Sequence, residues 1–198
     1  MVATFGLFHS GKNIQAALDA VARARSPRPL RLWLLGDSTG ASPRDIQALR
    51  EKIKALGIEQ QVFWSGYLTP AEVSAHLQAA DIFMLPQPDG HLTRSSAFMA
   101  AAAHARTVIA VQNRKNQGDF TPGENVWLVK KSDGADLAAA IEALEREPEL
   151  AARLGTNLGR LYRQKFDWAI TSTPHSKAET PHGRALDSHG SAQTAAKP

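Results

Sequence analysis

The stretch from Asp81 to Val111 leaves little choice of fold. Ile82-Phe83-Met84-Leu85 is an apolar run short enough for a strand buried on both faces. Pro86 and Pro88 stop it, and Asp89-Gly90 turns the chain. Ser95 or Ser96 can cap a helix that runs through the alanines to about Ala105. A second apolar run, Thr107 to Val111, follows at once. Strand, loop, helix and strand with so little slack form a βαβ unit, which requires a parallel sheet. Ligands of open parallel sheets bind beyond the carboxyl ends of the strands. The loop from Gln87 to Ser96 occupies such an end.

The same alternation extends along the chain. Val2 to Phe8, Leu32 to Leu35, Val62 to Trp64 and Val126 to Val129 read as further strands. Helices are expected over 13–25, 43–56, 70–79, 133–145 and 148–165. Ser42-Pro43-Arg44-Asp45 and Thr69-Pro70-Ala71-Glu72 are capping boxes with proline at the first helical position, so Asp45 and Glu72 serve their helices. The fold expected is α/β: a doubly wound, mostly parallel sheet of about six strands with helices on both faces, over residues 1–168. Residues 169–198 are rich in Ser, Thr, His and Pro and show no amphipathic period. They read as a low-complexity, disordered tail, and the spacing of His175, His182 and His189 preorganises no metal site.

Composition removes several function classes. A chain of 198 residues can bury about 70% of its unfolded surface without a disulfide or metal staple. It has no cysteine, which excludes thiolate chemistry and suits the cytoplasm. A net charge of +4, spread along the chain, offers no basic cluster interleaved with aromatics for nucleic acid. No apolar run approaches the roughly 20 residues that span a bilayer, and no signal peptide is visible.

Chemistry-bearing residues gather after the strands. Gly6 to Asn13 differs by one residue from the phosphate-loop pattern GxxxxGK[ST], with Asn13 where magnesium needs a hydroxyl. A phosphate-loop NTPase is therefore an alternative reading. A milder expectation is that Gly11 lets backbone approach a ligand while Lys12, at a helix start, binds a diphosphate. Arg94 precedes a helix whose first turn offers the hydroxyls of Ser95 and Ser96, a second place for phosphate. Asp89, followed by Gly90, can accept hydrogen bonds from sugar hydroxyls. Each has a plainer reading: a solvated lysine, a loop arginine, a turn aspartate. His104, at the end of the alanine-rich helix, reads as a packed histidine rather than a base.

In this order and spacing the elements resemble the C-terminal, donor-binding half of GT-B glycosyltransferases, above all the retaining enzymes of family 4. The matching pieces are Lys12 after the first strand, Leu32 to Gly36, Val62 to Tyr67, Ala80 to Pro86, Asp89-Gly90 with Arg94, Val108 to Ala110, and Phe166-Asp167-Trp168. The resemblance implies a nucleotide-sugar donor whose diphosphate sits on Lys12. Asp89 stands at the first acid of the family's Glu-x7-Glu motif, and backbone at Gly66-Tyr67 borders the base. It implies no metal and no other cofactor. It also marks departures: Leu7 replaces an arginine, Ala97 or Ala100 the second acid, and Ala105 and Thr107 a glycine and a proline. Arg94 can supply the charge absent at Leu7. The acceptor-binding half is not in this chain. The chain is therefore expected to be a fragment, or one subunit beside a separate acceptor-binding domain, inactive alone. A degenerate, non-catalytic binding module is the alternative.

Overall fold

A computed structural model describes residues 1–6, 8–37, 41–88, 91–113 and 118–167. The strands are β1 (Val2–Phe5), β2 (Leu32–Leu35), β3 (Val62–Trp64), β4 (Ile82–Leu85), β5 (Thr107–Val111) and β6 (Trp127–Val129). They form one six-stranded sheet in the order β3-β2-β1-β4-β5-β6, and every neighbouring pair is parallel. The helices are α1 (Ile14–Arg23), α2 (Pro43–Leu56), α3 (Pro70–Ala79), α4 (Ser96–Ala103), α5 (Gly134–Arg146) and α6 (Pro148–Lys165). This is the doubly wound α/β architecture expected from the alternation of apolar runs and capped helices.

Strand side chains alternate between two cores because successive residues point to opposite faces. Leu32, Leu34, Ile82, Met84 and Ile109 pack with Leu18 and Val21 of α1 and Leu137 and Ile141 of α5. Leu35, Phe83, Leu85 and Val108 pack on the other side with Leu77 of α3 and Phe98 of α4. Helix α6 joins both layers, contributing Leu154 to the first core and Leu158 to the second. Each fully buried Leu or Phe contributes about 1.5–3 kcal/mol relative to exposure, which is why strands this short hold together.

Both capping boxes form. Ser42 accepts from the Asp45 N–H, Thr69 accepts from the Glu72 N–H, and each acid bonds back to its cap. Hydrogen bonds from the Thr69 backbone N–H and hydroxyl hold the Glu72 carboxyl below its ordinary pKa. Ser95, rather than Ser96, caps α4 through the Phe98 N–H, and Asp133 caps α5.

Four elements have boundaries that differ from expectation. Strand β1 ends at Phe5, not Phe8, because Gly6 turns to φ 133°. Phe8 has left the sheet but stays buried, edge-to-face with Trp64 at 5.6 Å. Its hydrophobicity serves a core contact outside the strand. Helix α1 is shorter at both ends because Asn13 is left-handed and Ala24 extended. Helix α4 stops at Ala103, with Ala105 at φ 52° turning the chain into β5. Strand β6 begins one residue late, since Val126 pairs with Pro122 in an isolated bridge. The expectations for Leu7, Asp89, Gly90, Trp168 and residues 169–198 lie outside the described residues.

Candidate functional site

The sheet order fixes where a crevice can form. From β1 the chain steps outward to β2 and β3, then returns to β4 on the opposite side of β1. The loops leaving the carboxyl ends of β1 and β4 therefore diverge, opening a crevice at that switch point. Lys12 follows β1 and Arg94 follows β4, so both sequence-predicted cations belong to the loops that flank it. Ser95 lies on the same loop as Arg94, where its hydroxyl oxygen accepts the Phe98 N–H at 3.2 Å. Gly66 follows β3 on the same rim.

Lys12 closes a 3-10 turn, Ser10–Lys12, just before α1. Its backbone N–H donates to His9 O at 2.9 Å. Its ammonium curls over Gly6, where an added Cβ would lie 3.6 Å from Nζ. Partial burial desolvates the ammonium and lowers its pKa below the ordinary lysine value. Among the described residues it has no hydrogen-bond or ion-pair partner. A desolvated cation without a partner is unfavourable, and an anion at that place relieves the cost. The Arg94 guanidinium, exposed at the end of a second 3-10 turn, Leu92–Arg94, also has no partner among the described residues.

Glycines line the rim beside Lys12. Gly6, Gly36 and Gly66 follow three adjacent strands, and Gly36 bridges Gly66. Gly36 adopts φ 131°, and a Cβ there would run into the Gly6 carbonyl. Ser65 Oγ accepts the Gly36 N–H at 3.0 Å, and Trp64 Nε1 donates to Gly36 O at 3.3 Å. Tyr67, just beyond Gly66, is 77% exposed.

Other candidates have local duties. The Asn13 amide, where a phosphate loop needs a hydroxyl, donates to Ser132 O at 2.9 Å and Ser132 Oγ at 2.6 Å. The Gly11 N–H donates to His9 Nδ1 at 3.2 Å. These bonds occupy groups that a phosphate-loop NTPase would turn toward nucleotide and magnesium. The His104 ring lies 2.8 Å from Ala100 O through Nδ1 and 2.7 Å from Ser74 Oγ through Nε2. A carbonyl can only accept, so Nδ1 carries the proton and Nε2 accepts from Ser74. His104 thus ties α4 to α3, as its reading as a packed residue required. Ala97, at one of the two positions counted for the second acid, is buried beside Phe98.

Sequence reasoning passed over His9, Asn13 in its linking role, and the contact between Gly6 and Gly36. A signal for the last existed: a glycine directly follows the second apolar run and interrupts the first. A cavity of about 670 Å³ opens at the opposite, amino end of the sheet, bordered by Arg31, Asp81, Arg106 and Pro148. It contains none of the residues predicted for the site. Among the described residues no group of three His, Asp or Glu could hold a metal, and no helix is long and apolar enough to cross a membrane.

Comparison with known proteins identifies the family and the fold. The family model for "Glycosyl transferases group 1" matches residues 1–147. EpsD of Bacillus subtilis (strain 168), whose glycosyltransferase assignment is provisional, is 30% identical over 161 residues, covering 81% of this chain and 40% of EpsD. Anabaena HepE, solved in complex with UDP and glucose, superposes with a TM-score of 0.72 at 22% identity, over 86% of this chain and 45% of HepE. The C-terminal domain of the glycosyl transferase group 1 family protein LpcC from Francisella tularensis superposes with a TM-score of 0.73 at 20% identity. There the match covers 84% of this chain and 86% of that domain. The chain thus spans less than half the length of EpsD and HepE.

Proposed function

Because this chain belongs to the glycosyl transferases group 1 family, we propose that its carboxyl rim binds the diphosphate of a nucleotide-sugar donor for retaining glycosyl transfer. One observation carries the reading: Lys12, a desolvated ammonium with no partner among the described residues, stands beside the switch point of the sheet, with Arg94 on the loop after β4. The leaving group of glycosyl transfer from such a donor is a nucleoside diphosphate, whose negative charge grows as the glycosidic bond breaks. The two cations and the N-terminus of α4 stabilise that charge. The sugar extends toward Asp89-Gly90, and the base lies along Gly66-Tyr67. HepE has been solved with UDP-glucose, which makes UDP the first nucleotide to test here.

The work on this side of the reaction is positioning and charge stabilisation, and it calls for no metal. A complete transferase also needs an acceptor site. We assign that to a separate domain or subunit in the cytoplasm, so this chain alone holds donor without transferring sugar. A second reading, a binding module that has lost catalysis, is favoured by Ala97. Its methyl group is buried in the core, at one of the two positions, with Ala100, where the family resemblance calls for a carboxylate.

Calorimetric titration with UDP, GDP and uridine tests the proposal. The expected result is binding of a diphosphate and much weaker binding of uridine, unchanged by a metal chelator. Equal affinity for UDP and uridine would remove the diphosphate site. Sugar transfer on adding an acceptor-binding partner would exclude the non-catalytic reading.

A further inference from the structure

His9 lies three residues before Lys12 on the loop after β1, and neither its spacing nor the family resemblance marked it. Its carbonyl accepts the Lys12 N–H at 2.9 Å, and its ring Nδ1 accepts the Gly11 N–H at 3.2 Å. The ring lies so close over Gly11 that a Cβ there would come within 2.9 Å of His9 Cε1. Two consecutive backbone donors of this loop are thus used internally, both by His9. A phosphate loop does the opposite, turning its backbone N–H groups toward the anion. Here those two N–H groups are taken, which leaves more of an anion's contacts to side chains.

The accepted N–H also fixes the tautomer. With Nδ1 acting as acceptor, the neutral ring carries its proton on Nε2. Nε2 is on the other side of Cε1 from the bonded nitrogen, and the residue is exposed. An Nε2–H held this way is a directed donor on a short loop, three residues from the Lys12 ammonium. Diphosphate oxygens only accept, and they are too many for one ammonium.

We infer that His9 is a binding residue for the donor diphosphate, giving its Nε2–H to a phosphate oxygen while Gly11 holds the ring through Nδ1. The inference rests on the diphosphate reading above. It assigns His9 a share in discriminating a diphosphate from the bare nucleoside, in a loop where Leu7 stands in place of a cation.

The test compares UDP and uridine on the full chain, its His9→Asn variant and its His9→Gln variant. Asparagine keeps an oxygen able to accept the Gly11 N–H but has no donor where Nε2 stood. Glutamine reaches further and restores an amide donor. The expected result is a loss of UDP affinity of about tenfold or more in His9→Asn, the size of one hydrogen bond to a charged group. Uridine binding stays unchanged, and His9→Gln recovers part of the loss. A UDP affinity in His9→Asn within about twofold of the parent would overturn the assignment. So would an equal loss for UDP and uridine, which would make His9 only a brace for the loop. A parent chain that prefers UDP no more than uridine would instead bring down the diphosphate reading itself, and His9 with it.

Discussion

Asn13 and Ser132, 119 residues apart, are joined by two hydrogen bonds from one amide, at 2.9 Å to the Ser132 carbonyl and 2.6 Å to its hydroxyl. The Ser132 hydroxyl in turn donates to the Pro86 carbonyl. The chain of bonds ties together the segments that follow β1, β4 and β6. It holds the loop of Lys12 to the start of the loop of Arg94.

Removing this tie is expected to lower stability and loosen the site together. Asn13 is left-handed at φ 50°, which glycine adopts freely. Asn13→Gly should lose only the hydrogen bonds, about 1–3 kcal/mol. Asn13→Ala should lose about 1 kcal/mol more, because alanine resists that backbone region. Urea denaturation of the two variants reads both numbers, and equal stability of the pair would place the strain elsewhere.

The close approach of Gly36 to Gly6 makes a sharper case. Gly36→Ala combines φ 131° with a Cβ driven into the Gly6 carbonyl, and is expected to cost about 3 kcal/mol or more. Gly57→Ala provides the comparison. Its φ is 65° with nothing near the added methyl, so about 1 kcal/mol is expected. A urea midpoint for Gly36→Ala no lower than that of Gly57→Ala would contradict the packing described for the rim.

Lys12 gives a pH signature. Burial lowers its folded-state pKa below the ordinary value of 10.5. Between the lowered value and 10.5 the unfolded chain holds more protons, so this group makes stability rise with pH in that window. A diphosphate beside the ammonium favours its charged form and raises the pKa again. UDP binding in the same window should therefore take up a fraction of a proton. Calorimetry in buffers of different ionisation enthalpy measures that uptake, and Lys12→Met should abolish it.

How much of this could be read beforehand depended on how local each cause is. Pro43, Gly57 and Pro70 mark the ends of α2 and the start of α3 by their own backbone restrictions, and those boundaries stand where expected. The apolar runs 82–85 and 107–111 could only be strands buried on both faces, and they are. Phe8 misled because an apolar side chain reports burial, not hydrogen bonding to a neighbouring strand. Lys12 and Arg94 were legible as cations at strand ends, since the alternation of elements already implied the rim. The Asn13 tie was not, because nothing near residue 13 announces Ser132. The role of His9 was hidden for another reason: it depends on which ring nitrogen faces Gly11, and spacing carries no such information.

The most direct test of the central claim is a crystal structure of this chain grown with UDP. The expected result is a diphosphate at the switch point between β1 and β4, with phosphate oxygens within hydrogen-bond distance of Lys12 Nζ and the Arg94 guanidinium. UDP bound in the cavity at the amino end of the sheet, or at the rim with its phosphates directed away from both cations, would contradict it.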